Sequence, residues 1–255
     1  MNDQLELVSD LFVETWGAGA PVILVHGSLA TSTDEWQAQK PLAQQGFRLL
    51  VVDRRGYANS PAAEGEDFLR DGEDIARLMG DGAHLVGHSY GGLGAMVAAS
   101  RRPEATLSLA LLEPGAFGLG QHHPAGRAFV TRIRQVWNQD LPDEGWCVEF
   151  LKAVGSDPDM LGPELLAAAM PLVRLVRRGR PVWDLDLPFA EMRKTTYPKV
   201  VVSGGHSAGF DAICDDLAAR IGAERAVVIG AGHEVQFAGA LINDLLLRVW
   251  RSVHR

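Results

Sequence analysis

The chain has 255 residues, of which 47% are hydrophobic and 22% charged, a globular balance long enough for a full core. A net charge of −8 argues against a nucleic-acid partner, and the densest basic run, Arg174 to Arg180, reads as a solvated helix end. No stretch approaches the ~20 apolar residues of a membrane span, Met1-Asn2-Asp3-Gln4 does not open a basic-then-apolar leader, and Cys147 and Cys214 lack metal-ligand spacing; a cytoplasmic protein with idle thiols is expected.

In chain order, strand and helix signals alternate. Leu11 to Thr15 reads as an edge strand, and the apolar run Pro21 to Val25 as a strand buried on both faces. Asp34 to Gln45 reads as a helix, Phe47 to Val52 as a strand ending at Asp53, and Phe68 to Met79 as a second helix. Ala83 to Val86 is a short strand, and the small-residue run from Gly92 to Ser100 a helix. Leu107 to Leu112 is another apolar strand, and it stops at Glu113.

After Glu113 the rhythm changes. From Pro114 to about Tyr197 only helical segments are visible, around Arg127–Asn138, Glu144–Val154, Pro163–Arg177 and Phe189–Lys194, broken by Pro142, Pro158, Pro163 and Pro181. Then βα units resume: a strand at Lys199 to Val202, a helix at Phe210 to Ile221, a strand at Arg225 to Ile229 and a last helix from Val235 to Val253. Such alternation implies an α/β fold with a mainly parallel, doubly wound sheet. Residues 1–113 and 198–255 form the predicted core and 114–197 an inserted helical cap. Ligands of such sheets bind beyond the carboxyl ends of the strands, where Gly27, Asp53, Ser89, Glu113 and His233 all fall.

The junction of the Ala83 strand and the helix after it reads Gly87-His88-Ser89-Tyr90-Gly91, a G-x-S-x-G sequence in strand–turn–helix context. Small flanking residues permit a strained turn that lifts the Ser89 hydroxyl clear of the backbone, and the helix N-terminus favours negative charge there. A serine needs a base, and the base an orienting acid. His233, in Gly230-Ala231-Gly232-His233-Glu234, follows the last strand on a glycine-rich loop and is the best-placed base; His26 and His88 are built into motifs, and His122, His123 and His254 look peripheral. His122-His123 has no accompanying acid or thiol set, so no metal site is expected.

The chain resembles the α/β-hydrolase superfamily over nearly its whole length. His26-Gly27-Ser28 looks like that family's oxyanion loop, Asp53 to Ser60 like its D-x-R-G-x-G-x-S turn with Ala58 where Gly is usual, and Gly87 to Gly91 like its nucleophile elbow. The resemblance implies the order Ser, acid, His, and an oxyanion hole built from the Ser28 and Tyr90 amides. Asp53 precedes the nucleophile, so a turn-stabilising role is expected for it. The usual acid position departs from the pattern: Ser203-Gly204-Gly205-His206-Ser207 places Ser207 where an Asp is common. Two replacements stay open. Glu113 is favoured, because a strand end holds a carboxylate rigidly; Asp211 is the other, with a helix-end role competing.

These residues predict a cofactor-free serine hydrolase acting through an acyl-enzyme on a small-molecule apolar ester or lactone, as a monomer or homodimer. Trp183, Trp137 and Gly27 are the expected substrate contacts, Trp183 because it follows the irregular Arg180-Pro181. Carbon–carbon hydrolase, thioesterase, perhydrolase and acyltransferase chemistry use the same triad, and a small-molecule receptor with a slow triad is the rival from another class.

Overall fold

The computed structural model describes residues 10–156 and 162–254. Met1-Asn2-Asp3-Gln4 and Pro158 lie outside the described residues. Seven strands form one sheet: β1 Val13–Trp16, β2 Ala20–Val25, β3 Phe47–Val52, β4 Ala83–His88, β5 Thr106–Leu112, β6 Lys199–Ser203 and β7 Glu224–Val227. Their spatial order is β1-β3-β2-β4-β5-β6-β7. β1 pairs antiparallel with β3, and every other pairing is parallel.

The apolar runs are explained by two-sided burial. Along β2, Ile23 and Val25 join one core cluster, while Val22 and Leu24 join the other. Helices α2 Phe68–Leu78, α3 Ser89–Arg101 and α8 Ala208–Ile221 supply the first cluster. Trp36, Leu42 and helix α9 Ala240–Arg251, with its fully buried Trp250, supply the second. The chain runs from β2 to β3 on one side and then crosses to β4 on the other. That reversal opens a crevice at the carboxyl ends of β2 and β4.

Two expected helices are broken, each for a local reason. The segment from Asp34 to Gln45 divides into α1 Ser32–Glu35 and a 3-10 stretch Gln37–Gln45. Pro41 inside it has no amide to donate, and Trp36 turns inward as a fully buried anchor. The last helix is interrupted at Gly239, whose φ of 58° and ψ of −112° suit only glycine, giving a 3-10 turn Val235–Ala238 ahead of α9. The last strand ends at Val227 rather than Ile229.

Between β5 and β6 lie α4 Pro124–Trp137, α5 Asp143–Val154, α6 Gly162–Arg177 and α7 Phe189–Lys194, with no strand among the described residues. α4 packs on the main core, where Phe129 meets Phe210 of α8 at 4.7 Å between ring centroids. α5 and α6 instead form a small cluster of their own: Trp146, Cys147, Val173 and Val176, with Leu29 of the β2 loop packed against it. Phe150 stacks on Trp146 at 4.9 Å. No helix among the described residues is long and apolar enough to cross a membrane.

Candidate active site

Ser89 opens α3 directly after β4, with a φ of 49°. That left-handed conformation costs a non-glycine residue on the order of 1 kcal/mol or more, and the surroundings enforce it. A Cβ on Gly87 would meet Gly91 O at 2.7 Å, and one on Gly91 would meet Val25 O at 2.4 Å. Helix and strand therefore approach too closely for any side chain at either position. The turn leaves Ser89 Oγ 3.1 Å from His233 Nε2.

His233 is buried against Phe210, whose ring stacks on it at 4.8 Å. Its Nδ1 lies 3.0 Å from Glu113 Oε2. Glu113 follows β5 with a φ of 42° and is fully buried. Its other oxygen accepts the Gly204 amide at 2.7 Å. Donation to the Glu113 carboxylate therefore fixes the imidazole tautomer, with Nδ1 protonated and Nε2 free to accept from Ser89. Burial raises the carboxyl of Glu113, and burial followed by the charge of His88 lowers His233, so desolvation favours the neutral imidazole.

Asp211, the other candidate acid, does not reach the histidine. It sits in the first turn of α8, accepting from Ser203 Oγ at 2.5 Å and pairing with Arg225 at 3.1 Å. Ser207 caps the same helix. Asp53 accepts from Ser32 Oγ at 2.5 Å and from the Asn59 amide at 3.1 Å, as a turn-stabilising carboxylate does. His123 caps α4 through Nδ1 while His122 turns to Asp216, so the adjacent histidines diverge.

The His26-Gly27-Ser28 loop, the candidate oxyanion loop, is held by charges that the sequence did not announce. Gly27 donates its amide to both oxygens of Glu35, at 3.1 and 3.0 Å. Ser28 Oγ is committed to Glu66 at 2.9 Å, which leaves the main-chain amide of Ser28 as its available donor toward Ser89. Arg54 is buried among Glu66 at 2.6 Å, Asp71 at 2.9 Å and the carbonyls of His26 and Gly27. Tyr90 is the second residue of α3, so its amide has no intrahelical partner. Ser28, Ser89 and Tyr90 line one small void of about 20 Å³, together with Trp137 and Phe150.

His88, the residue before the nucleophile, links these parts. Its Nδ1 lies 3.1 Å from Glu35 and its Nε2 3.0 Å from the His233 carbonyl. Both ring nitrogens face oxygen atoms, an arrangement that favours the doubly protonated ring. Burial alone would lower its pKa, and the Glu35 carboxylate outweighs burial and raises it. The side-chain amide of Gln236 lies 3.4 Å from Nδ1, and a protonated His88 calls for its oxygen on that side, giving that otherwise unpartnered atom a donor.

Ser89 and His233 open into a cavity of about 550 Å³. Leu29, Ala30, Phe150, Leu151, Val154, Ala169 and Phe237 line it, with Glu35, His88, Glu234 and Gln236 among its polar lining. Of the expected substrate contacts, Trp137 reaches only the small void beside Ser89. Trp183 does not line the cavity; it packs on Trp137 at 5.6 Å with Arg134 over its ring. Gly27 is absent from the lining too, its amide consumed by Glu35. A Cβ there would stand 3.1 Å from Ser89 Cβ, so Gly27 matters for closeness rather than contact with a ligand.

A strained serine beside a buried imidazole, at the carboxyl end of a mainly parallel sheet with helices on both faces, belongs to the class of α/β hydrolase folds. The chain belongs to the alpha/beta hydrolase family, whose model matches residues 22–245. It is 37% identical over 89 residues to a non-heme chloroperoxidase of Kitasatospora aureofaciens, covering 32% of each chain. It is 34% identical over 110 residues to a bifunctional esterase/perhydrolase of Acinetobacter calcoaceticus, covering 40% of each. The matches thus span 32–40% of the length of these curated relatives. Among solved structures, Est816, described as an N-acyl homoserine lactone degrading enzyme, superposes with a TM-score of 0.71 at 23% identity, over 93% of this chain and 96% of that one. That likeness is one of fold.

Proposed function

We propose that the protein is a cofactor-free serine hydrolase of an apolar ester or lactone. Ser89 Oγ attacks the carbonyl carbon as His233 Nε2 takes its proton. The oxyanion is stabilised by the Ser28 and Tyr90 amides; one such donor is typically worth about 3 kcal/mol to the transition state. Glu113 holds the imidazolium that forms. His233 returns the proton to the departing alkoxide, leaving an acyl-enzyme. Water, deprotonated by His233, then releases the acid. In this reading residues 114–197 act as a cap, because Phe150, Leu151, Val154 and Ala169 from that segment meet the cavity. The reading places the enzyme in the cytoplasm, in keeping with two buried free thiols.

The observation that carries the proposal is the unbroken chain of hydrogen bonds from Ser89 to His233 to Glu113, 3.1 and 3.0 Å long, at the foot of a mostly apolar cavity. The test is intact-mass and peptide-mass analysis after exposure to a small fluorophosphonate. A single adduct on Ser89 is expected, lost in His233→Ala. Turnover of simple esters and lactones should fall by about 10³-fold or more in Ser89→Ala. A folded protein that takes no adduct and turns over no ester would refute the reading.

A further inference from the structure

The cavity over Ser89 is unevenly charged. Glu35 and His88 line it as a buried pair 3.1 Å apart, and their charges offset one another. Glu234, which lines the same cavity, has no such counterion. Its Oε1 accepts the Ser156 hydroxyl, and no Lys or Arg pairs with it or lines the cavity among the described residues. Burial would raise its pKa, but the neighbouring His233, the Ser156 hydroxyl and the His88 cation together lower it, so it is a carboxylate at neutral pH. Two aromatic side chains, Phe150 and Phe237, line the same space. A carboxylate beside aromatic rings is the chemistry that receives an ammonium group.

Glu234 directly follows His233, the residue that hands a proton to the leaving group. The Glu234 carboxylate is close enough to the His233 ring to interact with it, so the leaving-group side of the cavity is the side assigned to Glu234. At an effective dielectric near 20 and a separation of roughly 7 Å, a full charge–charge interaction changes binding by about tenfold or more.

We propose that Glu234 is a specificity determinant that selects esters whose leaving group carries a cationic group and rejects those whose leaving group carries a carboxylate. This rests on the serine-hydrolase reading above. It divides substrates that the apolar lining alone would treat alike, and it disfavours the many natural esters of hydroxy acids.

Three matched thioesters test it: butyrylthiocholine, its neutral carbon isostere S-(3,3-dimethylbutyl) thiobutyrate, and S-butyryl-3-mercaptopropionate. Thiol release is followed with a chromogenic disulfide. The expected order of kcat/KM is cationic, neutral, anionic, with the cationic-to-anionic ratio about tenfold or more and shrinking as salt is raised. In Glu234→Gln the ratio should fall toward one, and in Glu234→Asp it should persist. The ratio is the decisive readout, because any change in the basicity of His233 acts on all three substrates alike. The fluorophosphonate labelling rate reports that each variant is folded. A flat ratio in the native enzyme, or one that Glu234→Gln leaves intact, overturns the proposal while the hydrolase reading stands. No Ser89-dependent turnover of any of the three, together with no adduct, overturns both.

Discussion

The floor and the roof of the cavity are built by different means. On the floor, Ser89, His233, Glu113, Gly27 and Glu35 sit at or next to the ends of strands in the sheet interior or on the short elements facing them, each with a named hydrogen-bond partner. The roof comes from α5 and α6, which hold together through a small apolar cluster around Trp146 and touch the rest of the protein by apolar contact and by a few hydrogen bonds, among them Ser156 to Glu234, His206 to the Val154 carbonyl and the Glu66 amide to the Leu175 carbonyl. Directional bonds fix atoms to fractions of an ångström, and apolar packing fixes shape. The difference teaches that the floor sets the rate of the proposed reaction, while the roof sets which molecules reach it.

The strongest way to break that division is at the acid. Glu113→Gln removes the anion behind the imidazole while keeping the Gly204 hydrogen bond possible, and kcat on a good ester should drop by about 10²–10⁴-fold. Asp211→Asn, in the neighbouring helix, should stay within a few-fold of native. Equal losses would mean that the sheet end acts as one electrostatic unit.

A second test strikes the roof. Trp146→Ala empties the centre of the α5–α6 cluster, and a loss of about 3–5 kcal/mol is typical of such a truncation, measured by denaturant unfolding. The rate at which a small fluorophosphonate labels Ser89 should change far less than the preference among acyl chains of different length. Collapse of labelling would show that the floor leans on the roof.

The smallest expected effect sharpens the comparison within the floor. The His88 ring centre lies 4.9 Å from that of His233. Burial first, and the His88 cation second, hold His233 below its ordinary 6.5, so the acid limb of kcat/KM should fall below that value. His88→Gln removes a positive charge, makes protonation of His233 easier, and should move the limb toward higher pH by up to about one unit. A limb that stays put would mean that the Glu35–His88 pair acts only by tying the loops together.

The floor was legible in the sequence where short motifs report local geometry. Gly87 and Gly91 announce the close approach at the elbow, and Ser207 in place of an acid pointed to Glu113. Glu35, Glu66 and Arg54 were not legible, because each is an ordinary charged residue until the fold buries it beside the oxyanion loop. His88 was read only as a motif position, the first x of G-x-S-x-G, and its link between Glu35 and the His233 carbonyl appears only in the fold. The roof was legible only as helices. Trp183 was favoured as a pocket residue for its irregular segment, yet Trp137 is the one that reaches the void beside Ser89, and which side of an element meets a cavity depends on crossing angles that no periodicity encodes. The broken helices at Trp36 and Gly239 follow the same rule, since tertiary burial of one large side chain and one glycine conformation overrode the local pattern.

Glu113 is a position where folding and chemistry ask for different residues. Its backbone angle, φ 42°, suits glycine, asparagine or aspartate better than glutamate. Only an anion with the reach of glutamate spans from that point to His233 while keeping the Gly204 amide. On the proposed mechanism this residue trades stability for activity. A selection for thermostability alone should drift at this site first, and the proteins it yields would be sturdier and idle.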